Sequence, residues 1–229
     1  DPDTLELRRH LVVRTRDPVT VRGTDDLDGG DRVDGSALVV AHGRHIELYR
    51  PTVRRTQRVT APATVHDVSL SPDGSSLYAA VGPQTDSTVV QLDLHGAVRA
   101  RTPTGSAELG LVATNFGFFG TLSTGMAAEL DFFHLGNRTP EPISAGGGGS
   151  YPLVGLSDGV AWAGGSDALA CVDPSTGTVA ARVDLGGDRA DISGLSALGG
   201  RLYADYDGTN GDPTHALIEM TPPRACGLS

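Results

Sequence analysis

The feature that most constrains this chain is an internal repeat of about 40 residues. Strand-like segments of one type begin at residues 37, 76, 118, 159 and 201, so successive segments start 39, 42, 41 and 42 residues apart. The apolar segments that follow them keep a similar interval and read RHIELYR, TVVQLDL, MAAELDFFHL, ALACVD and HALIEM. Repeats of 20 to 50 residues are typical of propellers and solenoids, in which each repeat is one supersecondary unit.

The clearest repeat unit predicts four antiparallel strands. It reads VHDVSLSPDGSSLYAAVG and then STVVQLDLHGAVRARTP, with turn residues at Ser71-Pro72-Asp73-Gly74 and at His95-Gly96. A single unit of this kind cannot bury both of its faces, so neighbouring units must stack radially. We therefore predict one all-β domain over residues 1–229, a five-bladed β-propeller of four-stranded antiparallel blades. The expected blades are roughly 25–60, 65–103, 107–145, 151–186 and 190–222.

The two ends of the chain predict how the ring closes. The last repeat has no obvious fourth strand, whereas residues 4–21 contain strand-like sequence with no blade of their own. We expect this N-terminal strand to supply the missing outer strand and so close the ring. The first strand of the first blade must then come from the Asp-rich stretch before Ser36, which has poor strand propensity, so the alternative is four and a half blades completed by another chain.

The repeats resemble those of a known group of bacterial propellers. The SPDG turn with LYAAVG, and the segment DPSTGTVAARVDL, are similar to the repeats of the YVTN, NHL and PQQ-quinoprotein-like kinds. The resemblance implies the fold but little about function, because these repeats encode strands and turns while activity resides in loops at the faces of the ring. It does not imply a redox cofactor, since Trp162 is the only Trp and no tryptophan-docking motif is present.

Composition excludes several functions. All 18 basic residues are Arg, and without Lys there is no Walker-type phosphate loop, Schiff-base nucleophile or kinase strand lysine. The net charge of −10 disfavours nucleic acid as a partner. No apolar stretch approaches the roughly 20 residues that cross a bilayer, so direct membrane insertion is not expected.

Residues Gly146–Ser150 read GGGGS, which suits either a natural inter-blade loop or an engineered linker.

The two cysteines are evidence on whether the protein works in an oxidising compartment. Cys171 and Cys226 allow one intramolecular pairing, which in an oxidising setting ties the end of the chain to an interior strand. The alternative is a buried free Cys171 and a loose Cys226. Because the chain begins at Asp1, we read it as a mature segment from an extracellular or cell-surface protein, with its signal peptide or anchor removed.

Acidic residues near the start of the first strands form one candidate site. Asp67, Glu108 and Asp191 share the phase that faces the central channel, and His66 lies beside the first of them. Converging carboxylates are able to act as general acid and base, as in the five-bladed glycoside hydrolases that the chain resembles in blade number. The alternative is that these acids accept backbone hydrogen bonds or hydrate a narrow channel.

Acidic turns form a second candidate site, for calcium. Asp26, Asp28, Asp31 and Asp34 offer alternate carboxylates, and the stretch resembles the calcium loops of FG-GAP propeller repeats. At Gly30 and Asp31 the acid and glycine of that pattern are exchanged. Residues 205–212 have similar content, and in both places a solvated turn explains the same residues. The spacing of His42 and His45 suits a metal ion such as zinc only if both side chains face one side. Their separation of three residues places them on opposite faces of a continuous strand, unless the Gly43-Arg44 turn brings them together.

These observations favour a non-catalytic extracellular or cell-surface propeller that binds a protein, peptide or glycan partner on one face. It could serve as the sensor or ectodomain of a larger protein, with no cofactor except possible calcium. The alternative is a carbohydrate-acting hydrolase that uses Asp67, Glu108 and Asp191. A hydrolase requires two of these carboxylates about 5 to 9.5 Å apart across an open pocket.

Overall fold

The structure is a computed structural model. It describes residues 19–24, 37–50, 55–83, 85–104, 107–123, 128–135, 141–142, 161–164, 168–173, 175–184, 191–198, 201–207, 215–221 and 226. Every element of regular secondary structure longer than one residue in these ranges is a β-strand, and all strand pairs are antiparallel. These ranges contain no helix that is long and apolar enough to cross a membrane.

The strands of the described ranges form five sheets, and within each sheet the spatial order follows the chain. The first sheet contains β1 (Val19–Thr24), β2 (Ala37–His42), β3 (His45–Arg50) and β4 (Arg55–Thr60). The second contains β5 (Val65–Leu70), β6 (Ser76–Val81), β7 (Thr88–Asp93) and β8 (Val98–Pro103). The third contains β9 (Ala107–Ala113), β10 (Gly117–Ser123), β11 (Ala128–His134) and β12 (Glu141–Pro142).

The fourth and fifth sheets each show three strands in the described ranges. The fourth contains β13 (Ala161–Gly164), β14 (Ala168–Val172) and β15 (Val179–Asp184). The fifth contains β16 (Asp191–Leu198), β17 (Arg201–Asp207) and β18 (His215–Met220). The prediction of an all-β chain built from antiparallel sheets is therefore confirmed.

Consecutive sheets pack face to face through apolar side chains. Ile46 of the first sheet and Val68 of the second belong to one buried cluster. Tyr78 of the second sheet packs with Phe118 of the third in the next cluster. A further cluster joins the third sheet to the fourth, and β13 contacts β16 of the fifth. The second and third sheets thus have both faces covered by their neighbours, as the alternation of apolar residues on successive strand positions requires.

The first sheet begins earlier than the sequence indicated. Its first strand is Val19–Thr24, which pairs with β2, whereas we expected the first blade to start at residue 25. The physical reason is propensity, because VTVRGT is rich in β-branched residues while residues 25–36 are rich in Asp and Gly. Residues 19–21 therefore belong to the first sheet and not to the closing strand, and residues 4–18 lie outside the described ranges.

Three hairpin turns are built in the same way, from an Asp and a glycine with positive φ. Asp73, Asp93 and Asp173 each accept hydrogen bonds from backbone N–H groups two residues further on. Gly74, Gly96 and Gly177 in these turns have φ values of 66°, 89° and 72°, a region that glycine enters without steric cost.

The same hydrogen bonds set the charge of these turn carboxylates. The backbone N–H of Ala97 lowers the pKa of Asp93, and the Ser175 hydroxyl lowers the pKa of Asp173. Burial by itself raises the pKa of Asp73, but hydrogen bonds from Ser71 and Ser75 outweigh it, so this pKa is also lowered. All three side chains are ionised at neutral pH, the form that accepts these bonds best.

The structure pairs Cys171 with Cys226, with their Cα atoms 5.9 Å apart. Cys171 lies in β14, between Trp162 of β13 and Ala181 of β15. This is the expected pairing, which ties the end of the chain to an interior strand. The bond joins the segment after β18 to β14, the middle strand of the fourth sheet. Closing a loop of 55 residues is worth about 4 kcal/mol in the chain-entropy model.

The Gly177 turn of the fourth sheet provides a test of packing between sheets. A Cβ at Gly177 would lie 2.8 Å from Cδ1 of Phe132 in the third sheet, whereas a Cβ at Gly74 meets nothing nearer than Arg50, at 3.6 Å. Both substitutions to Ala carry the backbone cost of positive φ, about 1–2 kcal/mol. Gly177→Ala adds an overpacking cost of about 1–3 kcal/mol.

We therefore expect Gly177→Ala to lower the free energy of unfolding more than Gly74→Ala does, as measured by urea denaturation of both variants. Gly74→Ala is the matched control for the backbone term. Equal losses in the two variants would show that the β14–β15 turn does not pack on Phe132.

Candidate functional site

The structure gives Asp67 the role that was the alternative to catalysis, the acceptance of backbone hydrogen bonds. Asp67 lies in β5 and is only 5% exposed. Its Oδ1 accepts a hydrogen bond from the N–H of Val68 at 2.9 Å, and its Oδ2 accepts one from the N–H of Leu111 in β9 at 3.0 Å. Both carboxylate oxygens are thus used by backbone groups, one of them in the next sheet.

The contact from Asp67 follows from the position of β9 at the edge of its sheet. Alternate N–H groups of an edge strand point away from the neighbouring strand and need other acceptors when they are buried. Leu111 and Ala113 are two residues apart, and their N–H groups donate to Asp67 and to the hydroxyl of Ser69, which are also two residues apart. The sequence HDVS therefore supplies two acceptors at the spacing of the β9 donors.

For the other members of the predicted carboxylate site the structure gives fewer contacts. The Nε2 atom of His66 hydrogen-bonds the carbonyl oxygen of Gly82. Glu108 lies opposite Leu122 in the third sheet, and Asp191 begins β16 opposite Asp207. The side chains of Glu108 and Asp191 lie outside the described residues, so the separation of the three carboxylates is untested.

The predicted calcium residues Asp26, Asp28, Asp31 and Asp34 lie outside the described residues, as do residues 208–212 of the other acidic loop. Calcium binding at these loops stays a prediction. Among the described residues, no group of three or more His, Cys, Asp or Glu side chains is arranged to hold a metal ion.

His42 and His45 are brought together by a turn. Gly43, at φ 56°, and Arg44 form a two-residue connection, and His42 and His45 are directly opposite each other in the β2–β3 pair, with ring centroids 5.6 Å apart. Of the two possibilities left open by the sequence, the structure therefore shows the turn and not the continuous strand. The signal in the sequence was a glycine-containing two-residue loop between two apolar segments, which is typical of a hairpin.

An exposed aromatic side chain marks a different surface, which sequence analysis did not identify. Phe116, in the turn between β9 and β10, is 54% exposed, and Leu135 at the end of β11 is 36% exposed. The N–H of Leu135 donates to the carbonyl oxygen of Phe116, so the two residues are neighbours. The sequence signal was an aromatic residue in the Asn-Phe-Gly turn, where strand alternation gives it no core position.

The turn that carries Phe116 is held by a network of hydrogen bonds. The hydroxyl oxygen of Thr114 accepts from the N–H groups of Phe116 and Gly117, at 3.0 and 2.9 Å. The side chain of Asn115 accepts from the N–H of Asp73 at 3.1 Å, which joins this turn to the β5–β6 turn. We use the name turn face for the surface formed by these two linked turns and Leu135.

Comparison with known proteins establishes the fold. No protein-family model matches the chain, and no curated protein matches it in sequence. The structure is similar to the β-propeller domain of Cps50 (Swd1) from Myceliophteria thermophila, at 11% identity and a TM-score of 0.55, over 92% of this chain and 74% of that chain. It is also similar to Kuenenia stuttgartiensis hydrazine synthase, at 15% identity and a TM-score of 0.50.

The second match covers 76% of this chain and 53% of the synthase chain, so the present chain spans about half of that structure. At such low sequence identity the structural likeness shows the fold and nothing about function. The chain has a β-propeller fold. The resemblance to YVTN, NHL and PQQ-like repeats stays a prediction, because no family match supports it.

The contact made by Asp67 gives a prediction that separates a structural role from a catalytic one. Asp67→Ala leaves the buried N–H of Leu111 without its acceptor, which costs about 1–3 kcal/mol. Asp67→Asn retains one acceptor oxygen and should cost less. The measurement is the free energy of unfolding of both variants, with Ser69→Ala as the control for the neighbouring bond. Unchanged stability in Asp67→Ala would remove the structural role and strengthen the hydrolase hypothesis.

Proposed function

We propose that this chain is a non-catalytic propeller of an extracellular or cell-surface protein, and that it binds a protein or peptide partner through the turn face. The observation that carries the proposal is the exposure of Phe116 on a turn held by the Thr114 and Asn115 hydrogen bonds. A large aromatic side chain in a rigid turn offers contact area at a low cost in conformational entropy, as hot-spot residues of interfaces do.

The neighbours of Phe116 support a protein partner over a small ligand. Leu135 extends the apolar area, while Asp73 and Asn115 provide a polar border, an arrangement common at protein interfaces. The fold leaves these turns at one end of the sheets, where propellers vary their loops without disturbing the core. A glycan ligand remains a member of the proposed partner class, because an exposed aromatic ring also stacks on sugars.

The disulfide supports the proposed location. Cys171 and Cys226 are both buried and bonded to each other, and stable disulfides persist in oxidising compartments. The chain would then act as the sensor or ectodomain of a larger protein, or as a secreted module.

Substitution of Phe116 tests the proposed function. We expect the wild-type protein, used as bait against the secreted and cell-surface fractions of its source organism, to retain a specific partner. Phe116→Ala should weaken binding of that purified partner by about tenfold or more, because hot-spot truncations cost more than 1 kcal/mol.

Val98→Ala is the matched control, since Val98 is an exposed apolar residue of the outer strand β8 that is not part of the turn face, at 39% exposure. Equal affinity of the Phe116→Ala and wild-type proteins would contradict the proposed surface. Retention of a cytoplasmic partner alone would contradict the proposed location.

We also propose that the ring has five blades and is closed by the N-terminal residues 4–18. The first sheet already has four strands, so a strand before β1 is left for another sheet. Residues 13–18 read VRTRDP and precede β1, just as VRARTP of β8 precedes β9. The fifth sheet shows three strands in its described residues, which leaves a place for a fourth beside β18.

The exposure of Leu217 supports this closure. Leu217 lies opposite Asp205 in the fifth sheet, at the register position that Ile46 and Val89 occupy in the first and second sheets. Ile46 and Val89 are 0% and 2% exposed because the next sheet covers them, whereas Leu217 is 72% exposed among the described residues. Packing against the first sheet in a closed ring would cover it.

Truncation tests the closure. Deletion of residues 1–18 should remove the outer strand of the last blade and lower the Tm, by about 2–4 °C for each kcal/mol lost in a chain of this size. Deletion of residues 1–3 is the matched control and should leave the Tm unchanged. An unchanged Tm after the longer deletion would show that the N-terminal segment does not close the ring.

A further inference from the structure

We propose that His42, His45 and Glu47 bind one divalent first-row transition metal ion, and we choose Zn²⁺ as its probe. The three residues lie on the β2–β3 hairpin, away from the turn face, so the proposal is independent of the function proposed above. Two imidazoles and one carboxylate form a ligand set that suits zinc and leaves a position for water.

His42 carries the strongest observation. The residue is 8% exposed, and within the described part of the chain its Nε2 is a buried polar atom without a hydrogen-bond partner. Buried polar atoms of this kind are rare and call for a specific explanation. Oε1 of Glu47 lies 3.7 Å from this atom, within the range of an ion pair but too far for a hydrogen bond.

That 3.7 Å gap is close to the span of two ligands around one metal ion. Ligand atoms that each lie about 2.0–2.2 Å from a tetrahedral zinc are about 3.4 Å from one another. A small movement of the partly buried Glu47 side chain therefore brings its Oε1 and the Nε2 of His42 to bonding distance from a shared ion.

His45 supplies the third ligand. Its ring centroid is 5.6 Å from that of His42, and two imidazoles that bind one zinc through nitrogens hold their centroids about 5–6 Å apart. The three side chains do not converge on one point in the present arrangement. His45 is exposed and therefore free to rotate into the site when the ion binds.

The repeat shows that these residue types are not demanded by the fold. The positions of His42, His45 and Glu47 in the first sheet correspond by strand register to Val81, Thr88 and Val90 in the second. In the fifth sheet the corresponding residues are Tyr206, Ala216 and Ile218. A hairpin of this blade type folds with mainly apolar residues at all three positions, so the two His and the Glu need a reason other than folding.

The surroundings fix the hairpin and supply a competitor for the metal. The N–H of Val65 donates to the Gly43 carbonyl and the N–H of Ala61 to that of Arg44, so the turn is anchored to the segment before β5. Glu47 also accepts a hydrogen bond from Arg58, through the same Oε1 atom that faces His42. Arg58 must give up part of this contact when Glu47 binds a cation.

The experiment is a zinc titration of the untagged, chelator-treated protein, followed by competition with a chromophoric chelator. We expect one zinc ion per chain. His42→Val, His45→Thr and Glu47→Gln should each weaken binding by about tenfold or more, since even outer-shell changes at metal sites cost 10–100-fold. Arg58→Gln should strengthen binding, because it frees Glu47. His95→Gln, in the β7–β8 turn of the second sheet, is the control and should bind as the wild type does.

Two of these substitutions import the residue found at the same register position of the second sheet, which favours retention of the fold. Circular dichroism and the thermal midpoint check that retention. His45→Thr alters an exposed side chain, and its result stands even if His42→Val fails to fold. Failure of the wild type to bind one zinc, or equal binding by folded His45→Thr and wild-type proteins, overturns the proposal.

Discussion

The constraint on which this structure depends is that each sheet has two apolar faces and must bury both. An isolated four-stranded sheet would leave both faces in water, and burial of apolar area is the dominant favourable term in folding. The stacked clusters that join the first four sheets satisfy this requirement pair by pair. A linear stack would leave the outer face of the last sheet open, and Leu217 lies on that face. The same constraint therefore favours a ring.

Face burial alone does not hold the inner strands, because their outward N–H groups also need partners. Asp67 and Ser69 satisfy two such groups of β9, so polar residues of one sheet complete the backbone hydrogen bonding of the next. The acidic residues near the start of the first strands suggested catalysis. At Asp67, the one of the three whose side chain is described, the carboxylate has a structural role instead. Asp serves elsewhere in the chain as the acceptor of hairpin turns, as Asp93 shows.

The sequence predicted the repeat, the antiparallel sheets and the hairpin turns because these depend on local pattern and turn chemistry. It misplaced the first strand of the first blade. The repeat spacing put this strand in the Asp-rich stretch that begins at residue 25, whereas the strand is the β-branched segment Val19–Thr24 just before that stretch. It left the Cys171–Cys226 pairing open, because a contact between distant segments has no local signal. The candidate sites were harder still. The contact from Asp67 to Leu111 is between sheets, and strand periodicity carries no information about which backbone group a side chain meets.

The positions where one blade departs from the others are the best indicators of function in such a chain. A residue shared by several blades, such as the turn Asp and its glycine, is explained by the geometry common to all blades. Phe116 and the His42–His45 pair have no such explanation, because a propeller blade folds without them. Likeness to other propellers at 11% and 15% identity reports only the shared geometry, so it cannot carry information about these departures. Function in this chain must therefore be sought in the differences between its own repeats.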